Sequence, residues 1–166
     1  MATESLFIRR ASLEDCSSIA EVHVDSIRSL GARAYAQSVI EDWARPRTGD
    51  IYQLAMENGE TFFVAVERGA RSSDRLIGFS SYRIEDGKHR TAIYVRGDSA
   101  RRKVGTALFR AAENEARSNG ARELHVASSL CAVRFYKANG FEQLKAGEHI
   151  LRTGRKMACV YMRKLL

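Results

Sequence analysis

Residues 92–116, AIYVRGDSARRKVGTALFRAAENEA, run from an apolar strand through a basic, glycine-bearing loop into an amphipathic helix. Ala92, Ile93, Tyr94 and Val95 favour extended structure and stop at Gly97-Asp98, which predicts a buried strand. Val104, Ala107, Leu108, Ala111, Ala112 and Ala116 recur at intervals of three and four, which predicts a helix with one core face that starts near Lys103. The first turn of such a helix carries N–H groups without intrahelical acceptors and the positive end of the macrodipole, so this junction suits a phosphate. Gly105 lets an anion approach the backbone, while Arg101, Arg102 and Lys103 add charge, the arginines in bidentate form. Taken alone, the pattern also describes any basic loop ahead of an amphipathic helix.

A second stretch, SSLCAVRFYKANGFEQL over residues 128–144, reads as a short capped helix stopped by Asn139-Gly140 and followed by a strand. Together the two stretches resemble the Gcn5-related N-acetyltransferase (GNAT) superfamily, in which an R/Q-x-x-G-x-G/A loop binds the acetyl-CoA pyrophosphate and a later FYxxxGF-like element supplies a tyrosine. The matching residues are Ala100-Arg101-Arg102-Lys103-Val104-Gly105 and Phe135-Tyr136-Lys137-Ala138-Asn139-Gly140-Phe141. The resemblance implies one acetyltransferase domain over residues 1–166, an α/β fold with a mixed, mostly antiparallel sheet, helices on both faces and splayed central strands. It implies acetyl-CoA in the splay, with backbone groups of Ile93, Tyr94 and Val95 on the pantetheine and acetyl carbonyl. Arg101, Arg102, Lys103, Val104, Gly105 and Thr106 would then hold the pyrophosphate, and Tyr136 would protonate the departing thiolate. An FY pair in a short helix also has a plain use as core.

The chain departs from the family pattern in three places. Ala100 stands where the leading Arg or Gln is expected, Lys103 where the first Gly is expected, and Cys131 where many relatives carry Asn. Lys103 is therefore expected to offer its N–H from a helical conformation despite its side chain. For the base that deprotonates the amine, His89 and Glu85 are the candidates, His89 because a pKa near 6.5 suits the task and because it opens the strand entering the site. His89 beside Asp86-Gly87-Lys88 equally reads as an exposed hairpin residue, and His23 on the apolar face of the first helix reads as packed. Tyr35 and Trp43 are candidates for the acceptor pocket, or for core.

Bulk properties bound the rest. A chain of 166 residues, 45% hydrophobic and 28% charged, suits one domain with an ample core. Cys16, Cys131 and Cys159 are odd in number and widely spaced, so neither a disulfide framework nor a zinc site is indicated and a reducing, cytoplasmic setting is expected. The opening MATESLFIRR has no long apolar core, and no later run approaches the roughly 20 residues of a membrane span. The net charge of +7 is scattered without a nucleic-acid motif, so CoA is the expected polyanion and nucleic acid an improbable partner. That charge also disfavours strongly cationic acceptors such as polyamines. Two other readings remain: a non-catalytic acyl-CoA-binding module of the same fold, and a basic nucleic-acid-binding domain.

The remaining chain predicts the scaffold. A strand at Leu6–Ile8 is followed by a helix capped by Ser12, a second helix from about Arg33 to Ala44 ended by Pro46, and a helical turn around Ile51–Met56. Thr61–Glu67 and Leu76–Ile84 read as an antiparallel pair joined through GARSSD, with Asp86-Gly87 as the next hairpin turn. Glu123–Ala127 is the strand after a right-handed crossover, and Phe141–Lys145 and Ala158–Lys164 close the sheet. The connection from Ala146 to Lys156 is expected to be a mobile flap, and the C-terminal strand a pairing edge for a homodimer.

Overall fold

Seven extended stretches build a seven-stranded sheet, in a computed structural model that describes residues 5–45, 47–69 and 73–166. The strands are β1 (Ser5–Arg10), β2 (Thr61–Arg68), β3 (Arg75–Glu85), β4 (Lys88–Val95), β5 (Glu123–Ser129), β6 (Glu142–Ile150) and β7 (Lys156–Leu165). Their order is β1-β2-β3-β4-β5-β7-β6, and every pairing is antiparallel except β4 with β5. Asp86 and Gly87 turn β3 into β4 with φ of 50° and 71°, the left-handed pair that a tight hairpin requires.

Helices cover both faces. On one side lie α1 (Cys16–Leu30), α2 (Gln37–Trp43) and α3 (Gly49–Glu57); on the other, α4 (Val104–Ser118) and α5 (Val133–Ala138). Ile19, Ala20 and Tyr52 pack on Val64 and Phe79, whereas Val104 and Leu108 pack on Ala65 and Ile77 of the opposite face. The start of the first helical segment is fixed by a capping box, in which the Ser12 N–H donates to Asp15 Oδ2 at 2.8 Å while Arg9 grips the same carboxylate at 2.7 and 2.8 Å. Among the described residues no helix is long and apolar enough to cross a membrane.

Four expectations are corrected. The second helix begins at Gln37, not Arg33: Gly31–Arg33 is a separate 3-10 turn and Ala36 is extended, because the Tyr35 hydroxyl is held across the chain by the Leu130 N–H at 2.8 Å and the Ala158 carbonyl at 2.6 Å. The third helix runs for nine residues, about two and a half turns rather than one. The expected flap is mostly strand, since β6 pairs with β7 as far as Ile150 opposite Lys156. Its turn is docked, with Leu151 buried against Ile40 and Trp43, and with Thr153 and Arg155 both donating to Asp42. Consequently the edge strands of the sheet are β1 and β6, and the C-terminal strand β7 lies inside it. Pro46 and part of the GARSSD turn fall outside the described residues.

Candidate active site

The parallel strands β4 and β5 share one register pair, Arg90 with His125, and diverge beyond it. The expected splay is therefore present. Because the Arg96 N–H donates to the Ile77 carbonyl at 2.8 Å, antiparallel alternation turns the backbone groups of Ile93 and Val95 away from β3 and into the gap. A cleft of about 560 Å³ opens there, walled by Ile93, Tyr94, Ser128 and Tyr136 and reaching outward to Arg47, Arg83 and Glu85.

Tyr136 arrives on α5, wedged between Phe135, Phe141 and Val126. Burial, its largest influence, holds the phenol well above its usual range; nearby Tyr94 adds to this, and the backbone of Ile93 acts in the opposite direction. The ring is thus neutral and carries its proton at any physiological pH. Tyr94 is likewise pushed up by burial, to about 12.

At the far end of β4 the loop reaches α4 through two left-handed residues, Arg101 at φ 62° and Lys103 at φ 63°. The expectation of an ordinary helical φ at Lys103 is thus corrected: the position keeps the conformation of a glycine with a lysine in it. The first intrahelical bond runs from the Ala107 N–H to the Lys103 carbonyl at 3.1 Å, so Val104, Gly105 and Thr106 point N–H groups out of the helix end. A Cβ on Gly105 would lie 3.1 Å from the Phe135 ring, so this glycine also permits α4 to close on α5. Arg102 is ion-paired with Glu67, and Arg101 and Lys103 are exposed. The loop is anchored to α1 by the Gly97 N–H, which donates to Asp25 Oδ2 at 2.9 Å.

The remaining expected residues separate. Glu85 lines the cleft, 2.8 Å from Arg90 and 3.4 Å from Arg83. It lies five residues along β3 from Ser80, the partner of Ile93, which is about 16 Å of strand. His89 stacks on Tyr82, with Nδ1 2.7 Å from the Tyr82 hydroxyl, and Tyr82 belongs to the core under α4 and α5. Trp43 lines the cleft, whereas Tyr35 bridges loop and strand as described.

His23 is packed and hydrogen-bonded, Nδ1 lying 2.7 Å from the Tyr52 hydroxyl, but it also lines the cleft, 4.0 Å from Tyr94 between ring centroids. Burial and the Arg47 cation lower its pKa to about 3. Arg47 itself had no sequence signal: one arginine after a proline looks like a surface residue, and only the folded chain places it on the wall of the cleft.

Residues 32–166 match the family model of the acetyltransferase (GNAT) domain. Spermidine N(1)-acetyltransferase of Thermoplasma acidophilum is 28% identical over 148 residues, spanning 83% of this chain and 89% of that protein. A solved Gcn5-related N-acetyltransferase from Rhodopseudomonas palustris superposes with a TM-score of 0.82 and 28% identity, covering 100% of this chain and 98% of the other. The same fold recurs at 24% identity in an N-acetyltransferase from Thermoplasma acidophilum solved with coenzyme A, with a TM-score of 0.71 and coverage of 98% and 99%. The splayed strands, the open helix terminus and the family match over most of the sequence agree, and the chain belongs to the GNAT acetyltransferase family.

Proposed function

We propose that the protein transfers an acetyl group directly from acetyl-CoA to a primary amine of a small molecule or peptide. The observation that carries this is the divergence of β4 from β5 after one register pair, which leaves the Ile93 backbone groups facing a cleft that the buried Tyr136 also lines. The residues present fit acetyl-CoA: the three outward N–H groups at the α4 terminus suit its pyrophosphate, and the unpaired β4 edge suits its amide-bearing arm.

Bound there, acetyl-CoA would supply an activated thioester carbonyl. The β4 backbone donors stabilise the oxyanion that develops at that carbonyl and hold both reactants in line. The nitrogen–carbon bond forms as the carbon–sulfur bond breaks. Tyr136 gives its proton to the leaving sulfur and, at its raised pKa, recovers one readily. The amine proton leaves through water in the cleft toward Glu85 at the outer end. His89, engaged with Tyr82, has no such path.

The test is amine-dependent thiol release from acetyl-CoA. Tyr136→Phe should lower kcat by about 100-fold or more with the acetyl-CoA KM little changed. Tight CoA binding without turnover on any amine would instead make the chain a binding module. The free thiols Cys16, Cys131 and Cys159 support a cytoplasmic location, and the open β6 edge supports a homodimer, which light scattering tests.

A further inference from the structure

Three buried side-chain polar atoms lack a hydrogen-bond partner among the described residues: His23 Nε2, Arg47 Nε and Arg90 Nε. All three side chains line the same cleft. Buried polar groups are normally satisfied, so unmatched atoms gathered in one cavity mark where a ligand supplies their partners. Arg90 is the least needy, because its Nε lies 2.8 Å from Glu85 Oε2 in an ion pair angled away from a hydrogen bond.

Charge makes the set more specific. The two carboxylates that line the cleft are engaged, Glu85 with Arg90 and Arg83, and Glu60 with Arg83 at 3.5 Å. Arg47 has no carboxylate partner among the described residues; its Nη2 donates at 3.3 Å to the Trp43 carbonyl. Its field is felt by His23, Tyr52, Tyr94 and His149, which places the cation among the side chains of the acceptor side. The cleft therefore offers an unpaired cation and no unpaired anion.

We propose that the acceptor is an amine that also carries a carboxylate, and that Arg47 holds this carboxylate by charge-assisted hydrogen bonds. The inference rests on the acetyl-transfer reading above. His23 becomes a second donor in the tautomer in which the Tyr52 hydroxyl donates to Nδ1 and the neutral ring carries its proton on the unpartnered Nε2. Spermidine, the compound in the name of the Thermoplasma relative, would bring several cations to a wall whose carboxylates are already paired and would meet Arg47 uncompensated. Arg47 is on this account a specificity residue, not a catalytic one.

Matched pairs test it in the thiol-release assay: phenylalanine against phenethylamine, leucine against isoamylamine, 6-aminohexanoate against pentylamine, with spermidine alongside. The expected result is that at least one amino carboxylate exceeds its matched amine by about 10- to 100-fold in kcat/KM. Arg47→Gln should erase that preference by raising KM for the amino carboxylate, leaving kcat, the matched amine and calorimetric CoA affinity unchanged, and Arg47→Lys should restore part of it. Equal or better turnover of the plain amines or spermidine overturns the inference. So does an unchanged preference in Arg47→Gln, or no turnover of any amino carboxylate by an enzyme that still binds CoA. Failure of the wild type to bind CoA removes the acetyl-transfer reading and this inference with it.

Discussion

Lys103 is the residue whose replacement tests the phosphate loop most directly. It occupies φ 63°, ψ 9° at the N-cap of α4, where a side chain with a Cβ costs about 1–2 kcal/mol. Glycine removes that cost but loses about 0.5–1 kcal/mol through the greater freedom of the unfolded chain. The informative comparison is Lys103→Gly against Lys103→Ala, because both remove the same charge from the positive end of the helix and differ only in the Cβ. Glycine should then be the more stable by about 0.5–1 kcal/mol, or roughly 1–4 °C in Tm for a domain of this size. Thermal unfolding followed by circular dichroism reads the difference. Calorimetry should give the two variants CoA affinities within about twofold of each other, since both keep the Val104, Gly105 and Thr106 N–H groups in place. If alanine proves as stable as glycine, position 103 is not left-handed, and the argument that this loop aims its N–H groups at a phosphate fails with it.

Other perturbations follow from the same geometry. His23, held neutral by burial and by Arg47 with a pKa of about 3, takes up no proton in the fold where the unfolded chain does so below about pH 6.5. Stability should therefore fall as pH drops from 6.5 toward 3, by about 5 kcal/mol at most, and His23→Gln should flatten that part of a urea-denaturation series. Tyr52, Tyr94 and Tyr136 are all raised by burial, so stability is full below the unfolded phenol value of about 10 and is lost as pH climbs past it; near-ultraviolet absorbance should show these phenols ionising only on unfolding. Gly97→Ala would place a Cβ 2.3 Å from Ser29 Cβ, pushing the loop off α1, with an expected cost of about 1–3 kcal/mol in urea and weaker CoA binding.

Much of this architecture was written in local patterns. The spacing of Val104, Leu108, Ala112 and Ala116 fixes the buried face of α4, and all four are buried. Asp86-Gly87 specifies its hairpin through left-handed backbone that few other residue pairs accept. Strand β6 was half missed because EQLKAGEHI is exposed along nearly its whole length and carries no core-facing alternation; only pairing with β7 extends it to Ile150. The break before α2 was missed because the bonds that cause it run from Tyr35 to Leu130 and Ala158, about a hundred residues away.

The sequence by itself determined most of the elements, the strand-loop-helix junction and the tyrosine that the family resemblance offers as a candidate proton donor, because hydrophobic period, turn residues and motif spacing are local properties. Tertiary structure decided what faces the cleft. It set Glu85 at the outer rim of the cleft and engaged His89 with Tyr82, and it set a lysine in a glycine's conformation at the head of α4. It also gathered His23, Arg47 and Arg90, residues far apart in the chain, around one cavity with polar atoms unmatched. Charge pairing and burial depend on which distant segments meet, and that is settled only when the sheet and its two helical layers close.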